Sequence, residues 1–106
     1  MENNDMQLLE LAATAAGIGP IIGVVDDCLL IGPSARRRHW NPLTEDGDAF
    51  RLMVSLSLDV SIQSNAQVAW LAGDSVEWLD EQLGDDPKAA VRRCITRVAA
   101  EIGRTK

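Results

Sequence analysis

The chain has 106 residues, 46% of them hydrophobic and 25% charged, which describes one ordinary globular domain over residues 1–106 and leaves no length for a second core. Ten Lys and Arg against sixteen Asp and Glu give a net charge of −6 and a pI near 4.6, which argues against general attraction to polyphosphate or to anionic lipid. Arg, Asp, Glu or Gly interrupts every apolar run before it reaches the roughly 18 to 20 residues that a membrane span needs. The opening Met1-Glu2-Asn3-Asn4-Asp5 carries acids where a signal peptide would carry bases, so a cytoplasmic location is expected. Cys28 and Cys94 lie far apart with no Cys-x-x-Cys pair, and both read as reduced thiols in the core rather than as a disulfide or a zinc site.

Met6, Leu9, Ala13 and Ala16 recur at helical spacing, and with Asn3 or Asn4 as cap they predict a first helix over Asp5 to Ala16. Gly17, Gly19 and Pro20 end it. The apolar runs Ile21 to Val25 and Cys28 to Ile31 flank Asp26-Asp27 and predict a hairpin, because Asp tolerates the left-handed backbone of a two-residue turn. Arg36 to Pro42 reads as a polar loop. A second helix over Glu45 to Leu56 follows from acids in its first turn and from Ala49, Leu52, Met53 and Leu56 on one face. Leu58, Val60 and Ile62 alternate with polar residues, and the apolar run Ala66 to Leu71 then completes a second hairpin.

Between Ser75 and Leu83 the signals conflict. Ser75 as cap and Gly84 as stop favour a helical turn, while the position after Gly73-Asp74 also permits a strand. The last helix is the plainest element: Asp86 caps it, Pro87 takes its first position and Gly103 stands beyond its last turn. Val91, Cys94, Ile95, Val98 and Ile102 form its apolar stripe, with Lys88, Arg92, Arg93, Thr96 and Arg97 on the opposite arc. The expected class is α+β, a small, largely antiparallel sheet of two hairpins flanked by helices, in the order α-β-β-α-β-β-(α)-α.

Three short words stand out along this path: Trp40-Asn41-Pro42, then Asp46-Gly47-Asp48-Ala49 at a helix start, then Asp86-Pro87 with Ala89-Ala90 and Ile95 opening the last helix. Over about Trp40 to Gly103 the chain resembles the small phage and prophage proteins with an α-β-α sandwich, the NinX-like group. That resemblance implies a phage or prophage origin and helices flanking a strand layer, and it brings no catalytic residues to carry over. The Ser75 to Leu83 segment departs from the group's pattern, in which strands are commoner.

No enzyme signature emerges. Ser34, His39 and Asp46 make a triad on paper, but the nucleophile-elbow glycines are missing and a solvated connector explains the loop better. Carboxylates at Asp26-Asp27, Glu45 to Asp48 and Asp80 to Asp86 lack the alternation and central glycine of a calcium loop, so no metal and no cofactor is expected. Gly17, Gly19 and Gly23 follow a helix and precede a strand, the reverse of a phosphate-binding loop.

Two binding surfaces remain. The acidic stretch places Trp78 among Asp74, Glu77, Asp80, Glu81 and Asp85, an aromatic in a carboxylate field that fits a basic protein partner, unless Trp78 is simply core. Arg36, Arg37, Arg38 and Trp40, joined by Arg92, Arg93 and Arg97, would instead suit nucleic acid if the loop and the last helix share a face. The alternative there is that the loop arginines offset Glu45, Asp46 and Asp48 while Trp40 enters the core. The expectation carried forward is a non-enzymatic phage accessory protein that binds a host protein, for instance to inhibit a host defence complex, with nucleic-acid binding as the alternative. The Leu-Ala face of the first helix and any open strand edge also allow a homodimer.

Overall fold

A computed structural model describes residues 4–106. Helix α1 (Asn4–Ala16) is followed by β1 (Ile21–Val25) and β2 (Cys28–Ile31), a single 3₁₀ turn at Ser34–Arg36, and β3 (Arg38–Trp40). Helix α2 (Asp46–Ser55) then leads to β4 (Asp59–Ile62), β5 (Asn65–Ala72), β6 (Ser75–Gln82) and the long α3 (Pro87–Arg104). The α+β class, the antiparallel pairing and the flanking helices stand as predicted, but the hairpins are each extended by a strand. Two three-stranded sheets result, ordered β1-β2-β3 and β4-β5-β6, and the order along the chain is α-β-β-β-α-β-β-β-α.

The first hairpin turns as its residues require. Asp26 and Asp27 hold φ of +52° and +65°, the pair of left-handed residues that makes a primed turn match strand twist. Leu29 and Ile31 point inward from β2, and Trp40 on β3 lies opposite Leu29 with only 3% of its surface exposed. The residues read as a polar loop therefore include a strand, because Trp40 gains by burial beside Leu29 while the three preceding arginines stay hydrated at no cost.

Helix α3 runs through the middle of the molecule, against α1 on one side and β5 and β6 on the other. Asp86 caps it, its carboxylate accepting from the Ala89 amide at 3.2 Å, and Pro87 follows at the start as expected. Burial goes further round this helix than the predicted stripe: Thr96, Ala99 and Ala100 are fully enclosed. Thr96 leaves the expected polar arc because its hydroxyl donates to the Arg92 carbonyl at 2.7 Å, which removes the cost of enclosing it. Gly103 is corrected as well. It is a buried residue inside the helix, and a Cβ built there would lie 2.0 Å from the Leu11 carbonyl oxygen. Small residues on both helices, Ala12 and Ala13 against Ala99 and Gly103, let the two backbones meet closely. The Leu-Ala face of α1 is consumed by this contact and is not free for self-association.

The words Trp40-Asn41-Pro42 and Asp46-Gly47-Asp48 meet in a buried polar hub. The Asn41 amide donates to Asp48 Oδ2 at 3.0 Å, its side-chain Nδ2 donates to the Asp27 carbonyl at 3.0 Å, and its Oδ1 accepts from the Leu43 amide at 2.9 Å. Asp48 Oδ1 takes the Arg51 guanidinium at 2.7 Å. Asn41 and Asp48 are 4% and 5% exposed, so their polar atoms depend on these partners rather than on bulk water.

Cys94 is fully buried, its thiol donating to the Leu79 carbonyl at 3.3 Å. Burial first, and the nearby Glu81 carboxylate second, push that thiol up from 9.0 to about 11. Between these values the unfolded chain releases the proton while the folded chain keeps it, so stability falls as pH rises through this window. Denaturant titrations at about pH 8 and about pH 11 are expected to show wild type losing about 2 kcal/mol more than Cys94→Ala over that interval. Equal losses would contradict the assignment.

Candidate protein-binding face

The stretch Ser75 to Gln82 is a strand, which corrects the helical turn favoured from Ser75 and Gly84. Eight consecutive ladder pairs to β5, from Ala72↔Ser75 to Asn65↔Gln82, settle the matter: pairing along a whole strand outweighs two capping signals. Gly73 takes φ +67° in the two-residue turn between them, a conformation glycine reaches without strain.

Register then decides what each side chain faces, since successive residues alternate between faces. Leu79 turns inward to the core, and Glu81 on the same side forms an ion pair with Arg97 of α3. Glu77 shares this inner parity, opposite Trp70, and remains exposed at the rim. Val76, Trp78 and Asp80 point the other way. Trp78 is 56% exposed, opposite Ala69, while Val76 at 57% lies opposite Leu71 at 72%. The acidic segment thus splits. Trp78 and Asp80 share the outer face, Asp74 lies in the turn beside it, Asp85 lies in the loop before α3, and Glu81 is committed elsewhere.

Leu71 and Val76 were not among the residues singled out from the sequence, yet they complete the patch. The signal available was the register of a Gly-Asp hairpin, which puts Leu71, Val76 and Trp78 on one side once Ser75 to Gln82 is extended. Asp59 of β4 pairs with Ala69 and belongs to the same outer parity, so acids flank the aromatic from two strands. No ion pair joins Asp59, Asp74, Asp80 or Asp85 to a base among the described residues. Strand β6 is also an edge of its sheet. Contiguous apolar surface on a small protein, rimmed by acids and next to an open strand edge, is the signature of a contact surface.

The residues of the rival surface are differently engaged. Trp40 is core, so no indole is free beside the arginine loop. Arg92 donates to the Leu43 carbonyl at 2.8 Å and to Asp46 at 2.7 Å, Arg93 meets Asp5 at 3.1 Å, and Arg97 meets Glu81. Each of these three helix arginines forms an ion pair with a carboxylate. Arg36, Arg37 and Arg38 are exposed and unpaired with acids among the described residues, with Arg37 reaching only the Ser34 carbonyl at 3.4 Å.

His39 lines a small polar pocket with Cys28, Asn41, Glu45, Asp48 and Arg51. The paper triad of Ser34, His39 and Asp46 is not brought together by hydrogen bonds, and Asp46 is held by Arg92. Among the described residues no group of three or more His, Cys, Asp or Glu is placed to hold a metal, and no helix is long and apolar enough to cross a membrane. No protein-family model, curated protein or solved structure matches this chain.

Proposed function

We propose that the protein is a non-enzymatic binding protein that captures a basic protein partner on the outer face of β5 and β6. The observation that carries this reading is Trp78, 56% exposed on an edge strand beside Val76 and Leu71, with Asp59 and Asp80 on the same outer face and Asp74 in the adjoining turn. An exposed indole loses most of its hydration when a partner covers it, and the acids steer and orient a cationic surface before contact. The net charge of −6 acts in the same direction.

The resemblance to the NinX-like group supports a phage or prophage origin, although two of its three words serve the Asn41–Asp48 hub and the third opens α3. On that origin the partner is a host factor in the host cytoplasm, and inhibition or redirection of a nucleic-acid-dependent defence complex is the role that fits an acidic decoy surface. The experiment is affinity capture of the tagged protein from host lysate, split into nuclease-treated and untreated halves. One stoichiometric protein retained in both halves is expected. Capture that vanishes with nuclease would overturn the reading and make Arg36 to Arg38 the site.

A further inference from the structure

Among the described residues four strands are sheet edges, β1 and β3 in one sheet and β4 and β6 in the other. An unpaired edge invites another strand, and short length, bulges or charge are what blunt it. Strand β1 has five residues with a register shift between Ile21 and Gly23, β3 has three and β4 has four. Strand β6 has eight, paired to β5 throughout without a bulge. Of the four it is the edge long and regular enough to template a partner strand.

The main chain of β6 is open on that side. Its two-residue turn closes on the hydrogen-bonded pair Ala72 and Ser75, so Ser75, Glu77, Leu79 and Glu81 turn their N–H and C=O groups to β5, while Val76, Trp78, Asp80 and Gln82 turn theirs away. These last four residues are all exposed. Among the described residues no main-chain group outside β5 bonds to β6, and on the open side Arg97 alone approaches, 3.5 Å from the Asp80 carbonyl. The residues that present open main-chain groups are thus the ones whose side chains form the Trp78 face.

We propose that the partner enters as an added strand, an extended basic segment that pairs with the open edge of β6 and lays alternate side chains beside Trp78 and Asp80. This rests on the outer face being the binding surface and states how the partner is held there. Charge selects the occupant. Glu77 at the inner rim and Asp80 on the outer face carry no ion pair among the described residues, so an added strand meets an unpaired carboxylate on either side. A second copy of β6 would bring the same acids alongside, on chains of net charge −6, and is repelled. Lysine or arginine on the added strand is attracted instead, and a guanidinium beside Trp78 gains the ring face as well. Main-chain hydrogen bonds then supply affinity, and the acids and the indole supply the preference for bases.

The probe is a peptide of about ten residues alternating arginine and valine, with blocked ends, and two versions of it N-methylated on the arginines or on the valines, which remove the main-chain donors of one edge or of the other. Binding to the full chain is followed by calorimetry, and exchange of the β6 amides by NMR. The unmethylated peptide is expected to bind in the micromolar range, one methylated version at least about 30-fold more weakly and the other alike. In the complex the amides of Val76, Trp78 and Asp80 are expected to exchange at least about 10-fold more slowly than in the free protein. No binding, equal affinity for the two methylated versions, or unchanged exchange at these amides overturns the added strand. The affinity capture above judges the outer face separately, because a partner held there by side chains alone is still retained while these amides stay unprotected. Protection in the free protein that rises with its concentration would place a second copy on the edge and overturn the proposal equally.

Discussion

Gly103→Ala is expected to destabilise the protein by about 3 kcal/mol or more, lowering Tm by roughly 12 °C or more. In a solvent-exposed helix interior the same substitution stabilises by about 1 kcal/mol, so even the sign is diagnostic. The difference is the neighbour. A Cβ at Gly103 would stand 2.0 Å from the Leu11 carbonyl oxygen and 2.8 Å from its carbonyl carbon, and both are backbone atoms that cannot rotate away. Helices α1 and α3 would have to separate, opening voids around Ala12, Ala13, Ala99 and Ala100, all of them fully buried. Thermal melts of wild type and variant decide the point, and an unchanged or raised Tm would show that the close approach of the helices is not real.

Asn41→Ala is expected to cost about 2 to 3 kcal/mol, because one truncation orphans two main-chain groups. The Asp27 carbonyl loses its donor and the Leu43 amide loses its acceptor, both in part-buried hydrogen bonds. The loss also cuts the side-chain link from the first hairpin to the segment before α2, while the Asn41 main-chain amide still donates to Asp48. Chemical denaturation is the measurement. A change below about 0.5 kcal/mol, the usual scale for surface substitutions, would mean that Asn41 is replaced by water without penalty.

Those two residues also mark what a single sequence discloses. Helices α1, α2 and α3 and the first hairpin are legible because capping residues, apolar spacing and Asp26-Asp27 are local signals read within a few residues. Strand β3 is hidden because it is three residues long and two of them, Arg38 and His39, are exposed; only Trp40 pays the cost of ordering. Strand β6 is hidden for a related reason. Ser75 to Trp78 alternate, but Leu79 follows Trp78 directly and breaks the pattern, so the strand period is too short to outweigh the capping signals of Ser75 and Gly84. Gly103 looks like a stop because a glycine near a helix end usually is one, and the contact that demands glycine comes from Leu11, nearly the whole chain away.

The candidate site follows the same division. That Trp78 sits among acids is plain in the sequence; that it faces solvent with Leu71 and Val76, while Glu81 turns to Arg97, depends on register. The pairing of Arg92, Arg93 and Arg97 with Asp46, Asp5 and Glu81 likewise depends on tertiary contacts that no local pattern encodes. An amphipathic helix with arginines on its polar side reads the same whether those arginines meet phosphate or carboxylate.

The most direct measurement of the central claim is a binding titration of the captured host protein with wild type and with Trp78→Ala, alongside thermal melts of both. Trp78 is exposed, so the melts are expected to differ by little, within the roughly 0.5 kcal/mol scale of surface substitutions, while affinity falls at least about 30-fold. Unchanged affinity with intact folding, or a variant that no longer folds, would contradict the claim that the outer face of β5 and β6 is the binding surface.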